Sequence, residues 1–560
     1  MGRIAAILVC AATLHATAQT AAPGVVSIDV NLAKPVGVYK PITNWFGYDE
    51  SNYTTMPYGE QLLGELHDLS RGPVTIRAHH LLTSGNGVPE LKWSSSNVFS
   101  LDQNGTPVYN FTITDQTFDE FARAGVRPMV ELGFMPKDLA ATVPEISEYQ
   151  LHYPAHTMGG ASNNPPKDYE MWGELVRKYT EHLVERYGRE QVSTWYFEVW
   201  NEPDIEYWHG TPDEYFKLYD YAVAGVRAAL PHAMVGGPAS TGPGNTKASA
   251  FLESFLEHCL HDKSAADGKA VPLDFISFHP KGRPALVDGQ VRMGLANELQ
   301  SAQAGFRIVA SHPQLKHLPI ILSEADPEGC AACSAKENPA NAYRNGSLYA
   351  AYTATGVKAL FDLEDKNNVN LMAMLSWSFE FENEGYFEGY RTLATHGIDK
   401  PILNLFRMTG LMAGERVMTT STSEVPLEEL VRAGVRQTPD VDAFATKSEH
   451  EAAVMMWNYH DDDVAAPDAE VHIAIAGIPP EVKRVLLQYY RIDETHSNAF
   501  TAWKKMGSPQ APTAEQYVQL KAAGQLQLLS SPEWLEAVGG TVTIETALPR
   551  QAVSLLRLEW

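Results

Sequence analysis

Eight short apolar runs, separated by segments long enough to be amphipathic helices, constrain this chain more than any other feature. They are "WFGYD" from Trp45, "VTIRAH" from Val74, "RPMVEL" from Arg127, "YFEVW" from Tyr196, "AMVGG" from Ala233, "FISFH" from Phe275, "IILS" from Ile320 and "MAMLSW" from Met372. Strand-like runs alternating with helical spacing are the pattern of βα units and a parallel sheet. The clearest helical segment puts Trp172, Leu175, Val176, Tyr179, Leu183, Val184 and Tyr187 on one face, with Arg177, Glu181 and Glu185 elsewhere. Eight units between residues 42 and 413, with a last helix starting near Pro401, predict an α/β fold, a closed (β/α)8 TIM barrel. An open doubly wound sheet is the alternative, weakened because no glycine-rich phosphate fingerprint follows the first strand.

Beyond Gly414 the texture changes to short β-rich runs, "AAVMMWNY", "EVHIAIAGI", "RVLLQYYRI", "GTVTIET" and "AVSLLRLEW". They predict a C-terminal β-sandwich over residues 414–560. "VVSIDVNL" near Val25, in the segment 19–41 that precedes the barrel, is expected to pair with that sheet. Residues 1–18 read as a secretion signal: Arg3, an apolar run from Ile4 to Ala12, and "ATA" before a cut ahead of Gln19. A buried N-terminal helix is the competing reading. The expected location is periplasmic or secreted.

A formal net charge of -25 repels phosphate backbones and anionic membrane surfaces, so neither nucleic acid nor membrane is an expected partner. Cys10 falls in the signal, which leaves Cys259, Cys330 and Cys333. In an oxidising compartment Cys330 and Cys333 can form a local loop staple. "CAAC" lacks a second ligand pair at zinc spacing, and the adjacent His79 and His80 are expected to point differently, so no metal and no cofactor are expected.

In a barrel of this kind functional groups collect at the C-terminal ends of the strands. Glu202, in "YFEVWNEPDIEYW", stands just past the fourth run, with Trp200, Asn201 and Pro203 fixing the loop and Asn201 able to donate to a substrate hydroxyl. A surface loop acid is the plain alternative for Glu202. Glu324 occupies the equivalent place after the seventh run, in "LPIILSEADPEG". Two carboxylates from two strand ends suit glycoside hydrolysis, where one protonates the leaving oxygen and the other attacks or activates water.

Taken together, "FEVWNEP", "VELGFMP", "FISFH" and the C-terminal "YRIDETHSNAFTAWKKMGSP" resemble glycoside hydrolase family 39, which includes β-xylosidases and α-L-iduronidase. The resemblance spans nearly the whole mature chain and implies a retaining double displacement on an oligosaccharide. It makes Glu202 the general acid/base and Glu324 the nucleophile. It also implies sugar contacts from His79 in "IRAHH", His279 in "FISFHPKG", Trp377 as a platform, and Glu384 in "SFEFENEG", where Glu380 and Glu382 leave the register open. Phe134 in "GFMP" walls the pocket or packs. Where xylosidases carry a tyrosine two positions after the strand-six histidine, this chain has Lys281. "HPKG", "SEADP" and "YRTL" around Arg391 are iduronidase-like, and there the matching lysine and arginine hold a substrate carboxylate. Lys281 therefore faces a uronic acid, pairs with a protein acid such as Asp326, or points to solvent. The expected activity is that of a retaining exo-β-D-xylosidase releasing terminal xylose. α-L-Iduronidase-like or α-L-arabinosidase action is the alternative, and a non-catalytic carbohydrate-binding protein or a metal-dependent hydrolase the rival classes.

Overall fold

The computed structural model describes residues 24–142 and 163–560; residues 1–18, expected to be a secretion signal, lie outside them. Eight parallel strands, Trp45–Tyr48, Thr75–Ala78, Arg127–Leu132, Tyr196–Val199, Met234–Thr241, Phe275–His279, Pro319–Leu322 and a broken eighth, Asn370–Met374 with Ser376–Trp377, pair in chain order. The ring closes because the broken strand reaches both ways, pairing Ile320 with Leu371 on one side and Phe46 with Ser376 on the other. All eight runs read from the sequence are barrel strands.

These strands are mostly apolar because they are covered on both faces: helices wrap the outside and side chains fill the inside. Thr75–Ala78 and Tyr196–Val199 are buried at every position. Helix Tyr169–Tyr187 starts where the Asp168 carboxylate accepts from the Met171 amide at 3.0 Å, stops at Gly188, and buries Trp172, Leu175, Val176, Tyr179 and Leu183. Closure also needs a glycine at position 47, since a Cβ there would collide with the Trp377 ring of the neighbouring strand. The last barrel helix is Pro401–Gly410.

The C-terminal β-sandwich is built on a ten-stranded sheet into which Val26–Val38 inserts, antiparallel to Glu415–Ser421 and parallel to Ala469–Ala476. Its strand Glu451–Tyr459 is apolar on both faces for a physical reason. Val454 and Met456 enter the sandwich's own core, while Met455 and Trp457 join the barrel core. The sandwich also braces the loop after the eighth strand: Gln510 accepts from the Tyr386 amide at 2.8 Å and donates to its carbonyl at 3.1 Å. Among the described residues no helix is long and apolar enough to cross a membrane.

Candidate active site

The fourth strand ends in a strained turn. Trp200 and Glu202 both have positive φ, 72° and 43°, a conformation that costs a non-glycine residue about 1–3 kcal/mol and persists only where its surroundings impose it. Here they do. The Trp200 indole donates to the Tyr207 carbonyl at 2.9 Å and its ring packs on Phe134, Trp172 and Trp208. The Glu202 amide donates to the Ala239 carbonyl at 2.8 Å. The stop after "YFEVW" thus aims the Glu202 side chain back over the barrel mouth.

Glu324 meets it there. One carboxylate oxygen of each acid and a ring nitrogen of His279 lie within 4.8 Å of one another. His279 Nδ1 is 2.9 Å from Glu202 Oε1 and 3.7 Å from Glu324 Oε1, and its Nε2 is 3.1 Å from the Ser323 hydroxyl. The two acids have opposite surroundings. Burial and the Glu324 charge push the Glu202 carboxyl up to about 8, against the opposing effect of Lys281. Burial would raise Glu324 too, but Lys281 at 2.8 Å, with Arg77 at 3.2 Å and His79, reverses that and holds it well below the usual carboxylate range. One acid keeps its proton at neutral pH and the other does not. Burial lowers His279 to about 4, so its ring is neutral.

Beneath the pair lies a charged layer that strand-by-strand reading passed over. Arg77, fully buried, bonds Glu198, reaches Glu131 at 3.2 Å and Glu324 at 3.2 Å, and donates to the Asn201 carbonyl oxygen at 3.0 Å. With its oxygen engaged, Asn201 keeps its NH2 for a substrate hydroxyl. His79 spans Asp49 at 2.6 Å and Glu131 at 2.8 Å, and although burial opposes it these two acids raise its pKa to about 10. His79 is therefore a cation locked in position. The signal for Arg77, Glu131 and Glu198 is present in the sequence: each is a charge flanked on both sides by apolar residues inside a barrel strand. Asp49, just past the first strand, and Tyr207, stacked 5.6 Å from Phe134, were also missed.

The remaining expected residues divide. Lys281 takes the protein-acid option, 2.8 Å from Glu324 and 3.2 Å from Asp326. Arg391 is fully buried behind the site, bonded to Glu328 at 2.8 Å and the Trp377 carbonyl at 3.0 Å and 3.5 Å from Asp326. Its charge is spent on protein groups, so it does not stand at the pocket surface as the iduronidase-like pattern implies. Trp377 is 1% exposed, with the Arg77 guanidinium 5.0 Å from its ring centroid and His79 at 4.3 Å. These contacts make it a wall under the two cations and not an open sugar platform. Phe134 is fully buried against His79, His80, Trp200 and Tyr207. Glu384 is half-buried, raised by desolvation and bonded to Tyr390. No described contact joins it to the paired acids. Glu380 accepts from the Gly397 amide at 2.6 Å, and Glu382 from that of Tyr58 at 2.9 Å.

His79 and His80 do not point apart as expected, since with Asp49 each offers a ligand atom within 4.8 Å of the others. An Arg77 nitrogen also lies 2.9 Å from His79 Nε2, so a guanidinium stands beside that cluster. Cys330 and Cys333 form a disulfide, and Cys259 is a buried free thiol.

A barrel with two strand-end carboxylates so polarised defines a glycosidase. The model of glycosyl hydrolases family 39 matches residues 76–531, and the chain belongs to that family. It is 28% identical over 438 residues to a β-xylosidase of Caldicellulosiruptor saccharolyticus, covering 76% of this chain and 78% of that one. It is 25% identical over 417 residues to an α-L-iduronidase of Mus musculus, covering 69% and 61%. A monomeric β-xylosidase from Caulobacter crescentus has the same fold, with a TM-score of 0.72 and 21% identity over 95% of this chain and 99% of that one.

Proposed function

We propose that the protein is a retaining exo-β-D-xylosidase that removes terminal xylose from xylo-oligosaccharides outside the cytoplasm. The observation that carries the reading is the spacing of the acids. Oxygens of Glu202 and Glu324 within 4.8 Å of one another support a covalent intermediate, for which carboxyl groups stand about 5–5.5 Å apart, over an inverting pair, which stands about 6.5–9.5 Å apart.

In the first step a Glu324 oxygen attacks the anomeric carbon as the bond to the leaving oxygen breaks, and Glu202 delivers its proton to that oxygen. Glu324 is then an ester and carries no charge. The Glu202 carboxylate left behind loses the repulsion that had raised its pKa, so it stays ionised long enough to take a proton from water attacking the same carbon. Product leaves with its original configuration, and both acids return to their starting states.

A neutral glycone is favoured by the fate of the two cations. Lys281 and Arg391, which would hold a uronate, are each neutralised by protein carboxylates. The β-xylosidase relatives support the same choice. The N-terminal signal-like stretch and the Cys330–Cys333 disulfide support an oxidising, extracytoplasmic location. The α-L-iduronidase reading keeps one specific support, Lys281, whose side chain is 19% exposed next to the nucleophile.

Side-by-side rates on aryl β-D-xyloside, α-L-arabinoside and α-L-iduronide test the reading. The xyloside is expected to be fastest. Preference for the iduronide, lost in Lys281→Ala, would replace it with the uronidase reading, and no turnover of any of the three would remove the glycosidase reading.

A further inference from the structure

A cavity opens beside the acids. It has a volume of about 430 Å³ and is bounded by the loops after the fifth and sixth strands and the first turns of helix Leu295–Ala310. Glu202, His279 and Lys281 line its inner end, whereas Glu324, Arg77, His79 and Asn201 do not. The cavity thus borders Glu202 without reaching the buried layer of Arg77 and His79. A general acid stands at the bond it protonates, so what sits beyond it is the leaving group.

The lining has a distinct chemistry. It carries no aromatic ring other than His279 and no large aliphatic side chain, which excludes a flat stacking aglycone as the natural occupant. It offers amides and hydroxyls, and the Ser301 hydroxyl, in a side chain only 5% exposed, has no hydrogen-bond partner among the described residues. A buried hydroxyl left without a partner costs free energy that a bound hydroxyl or anion would recover. Gly242 leaves that hydroxyl its room, since a Cβ there would collide with it.

Arg283 sets the charge. It is exposed, lines the cavity and forms no ion pair among the described residues, although the chain has 68 acidic side chains against 43 Lys and Arg. Two residues away, Lys281 is already neutralised by Glu324 and Asp326. An arginine left free at the rim of a polar pocket, in a strongly acidic protein, matches a planar or tetrahedral oxyanion.

We infer that this cavity is the leaving-group subsite and that it takes a hydrophilic sugar bearing an anionic substituent, a carboxylate or a sulfate ester, on Arg283 with a hydroxyl on Ser301. The inference rests on the glycosidase reading and deepens it: a neutral sugar is released from an acidic one. The net charge of -25 repels anions at long range, so the attraction for such a substrate is local and rests on Arg283.

The test uses the wild-type enzyme, Arg283→Ala and Arg283→Lys, and four substrates with one glycone: an aryl glycoside, and disaccharides whose second sugar is neutral, carboxylated or sulfated. In wild type at low salt, kcat/KM for at least one acidic disaccharide is expected to exceed that for the neutral one by about two- to fivefold, the scale of one exposed ion pair. The ratio is expected to fall toward one in Arg283→Ala and in high salt, and to be partly kept in Arg283→Lys. Preference for the carboxylate or for the sulfate identifies the oxyanion. A wild-type ratio near one for both, or a ratio unchanged in Arg283→Ala, overturns the inference while leaving the glycosidase reading intact. Failure to hydrolyse even the aryl glycoside would remove that reading itself.

Discussion

His279 holds Glu202, the proposed general acid, from behind: its Nδ1 lies 2.9 Å from Glu202 Oε1, and its Nε2 lies 3.1 Å from the hydroxyl of Ser323, one residue before Glu324, the proposed nucleophile. When Ser323 donates to Nε2, the neutral ring carries its proton on Nδ1 and donates it to Glu202 Oε1. The carboxyl proton then resides on Oε2, free to meet the leaving oxygen. Ser323→Ala is expected to lower kcat for poor leaving groups by about tenfold with KM little changed, as for loss of one hydrogen bond that orients a proton donor. An equal drop for activated aryl and unactivated substrates would argue against an effect on proton delivery.

Glu202→Gln should separate the two chemical steps. Unactivated xylosides are expected to lose about 10²- to 10⁴-fold in kcat/KM, while an aryl xyloside with an acidic leaving group loses far less in glycosylation because it needs no proton. Pre-steady-state measurement of the released phenol is the check.

The pH profile follows from the split between the acids. Glu202 must hold its proton, so kcat/KM should fall as pH rises through about 8. Glu324 must be ionised, so the acidic limb should lie below the ordinary carboxylate value of 4.5. Lys281 holds both groups down, and Lys281→Ala is therefore expected to move both limbs to higher pH. A profile in which only one limb moves would contradict the coupling of Lys281 to the pair.

Arg77→Ala should unfold the barrel more readily. It leaves the buried Glu131 and Glu198 carboxylates without their shared cation, a type of loss that costs about 3–5 kcal/mol. Urea denaturation of the variant is the measurement, and a loss below about 1 kcal/mol would mean that the Arg77 ion pairs do not hold the barrel together.

Much of this was legible from the residues. The eight strands showed because parallel barrel strands are covered on both faces and read as short uninterrupted apolar runs. Glu202 and Glu324 showed because each follows such a run immediately, where the barrel opens. Arg77, Glu131 and Glu198 did not show, because they sit inside strands and their partners arrive from neighbouring strands: Glu131 and Glu198 face each other only through the pairing of the third and fourth strands. Arg391 and Trp377 were placed by resemblance at the sugar, yet Glu328 and Asp326 engage the one while Arg77 and His79 cover the other. Both depend on counter-charges supplied by the fold, which no local spacing reveals.

The configuration of the first-formed sugar is the most direct check on the facing acids. Proton NMR of an aryl β-D-xyloside digest, recorded before mutarotation, is expected to show β-xylose appearing first. Initial release of α-xylose would mean that water, and not Glu324, attacks the anomeric carbon.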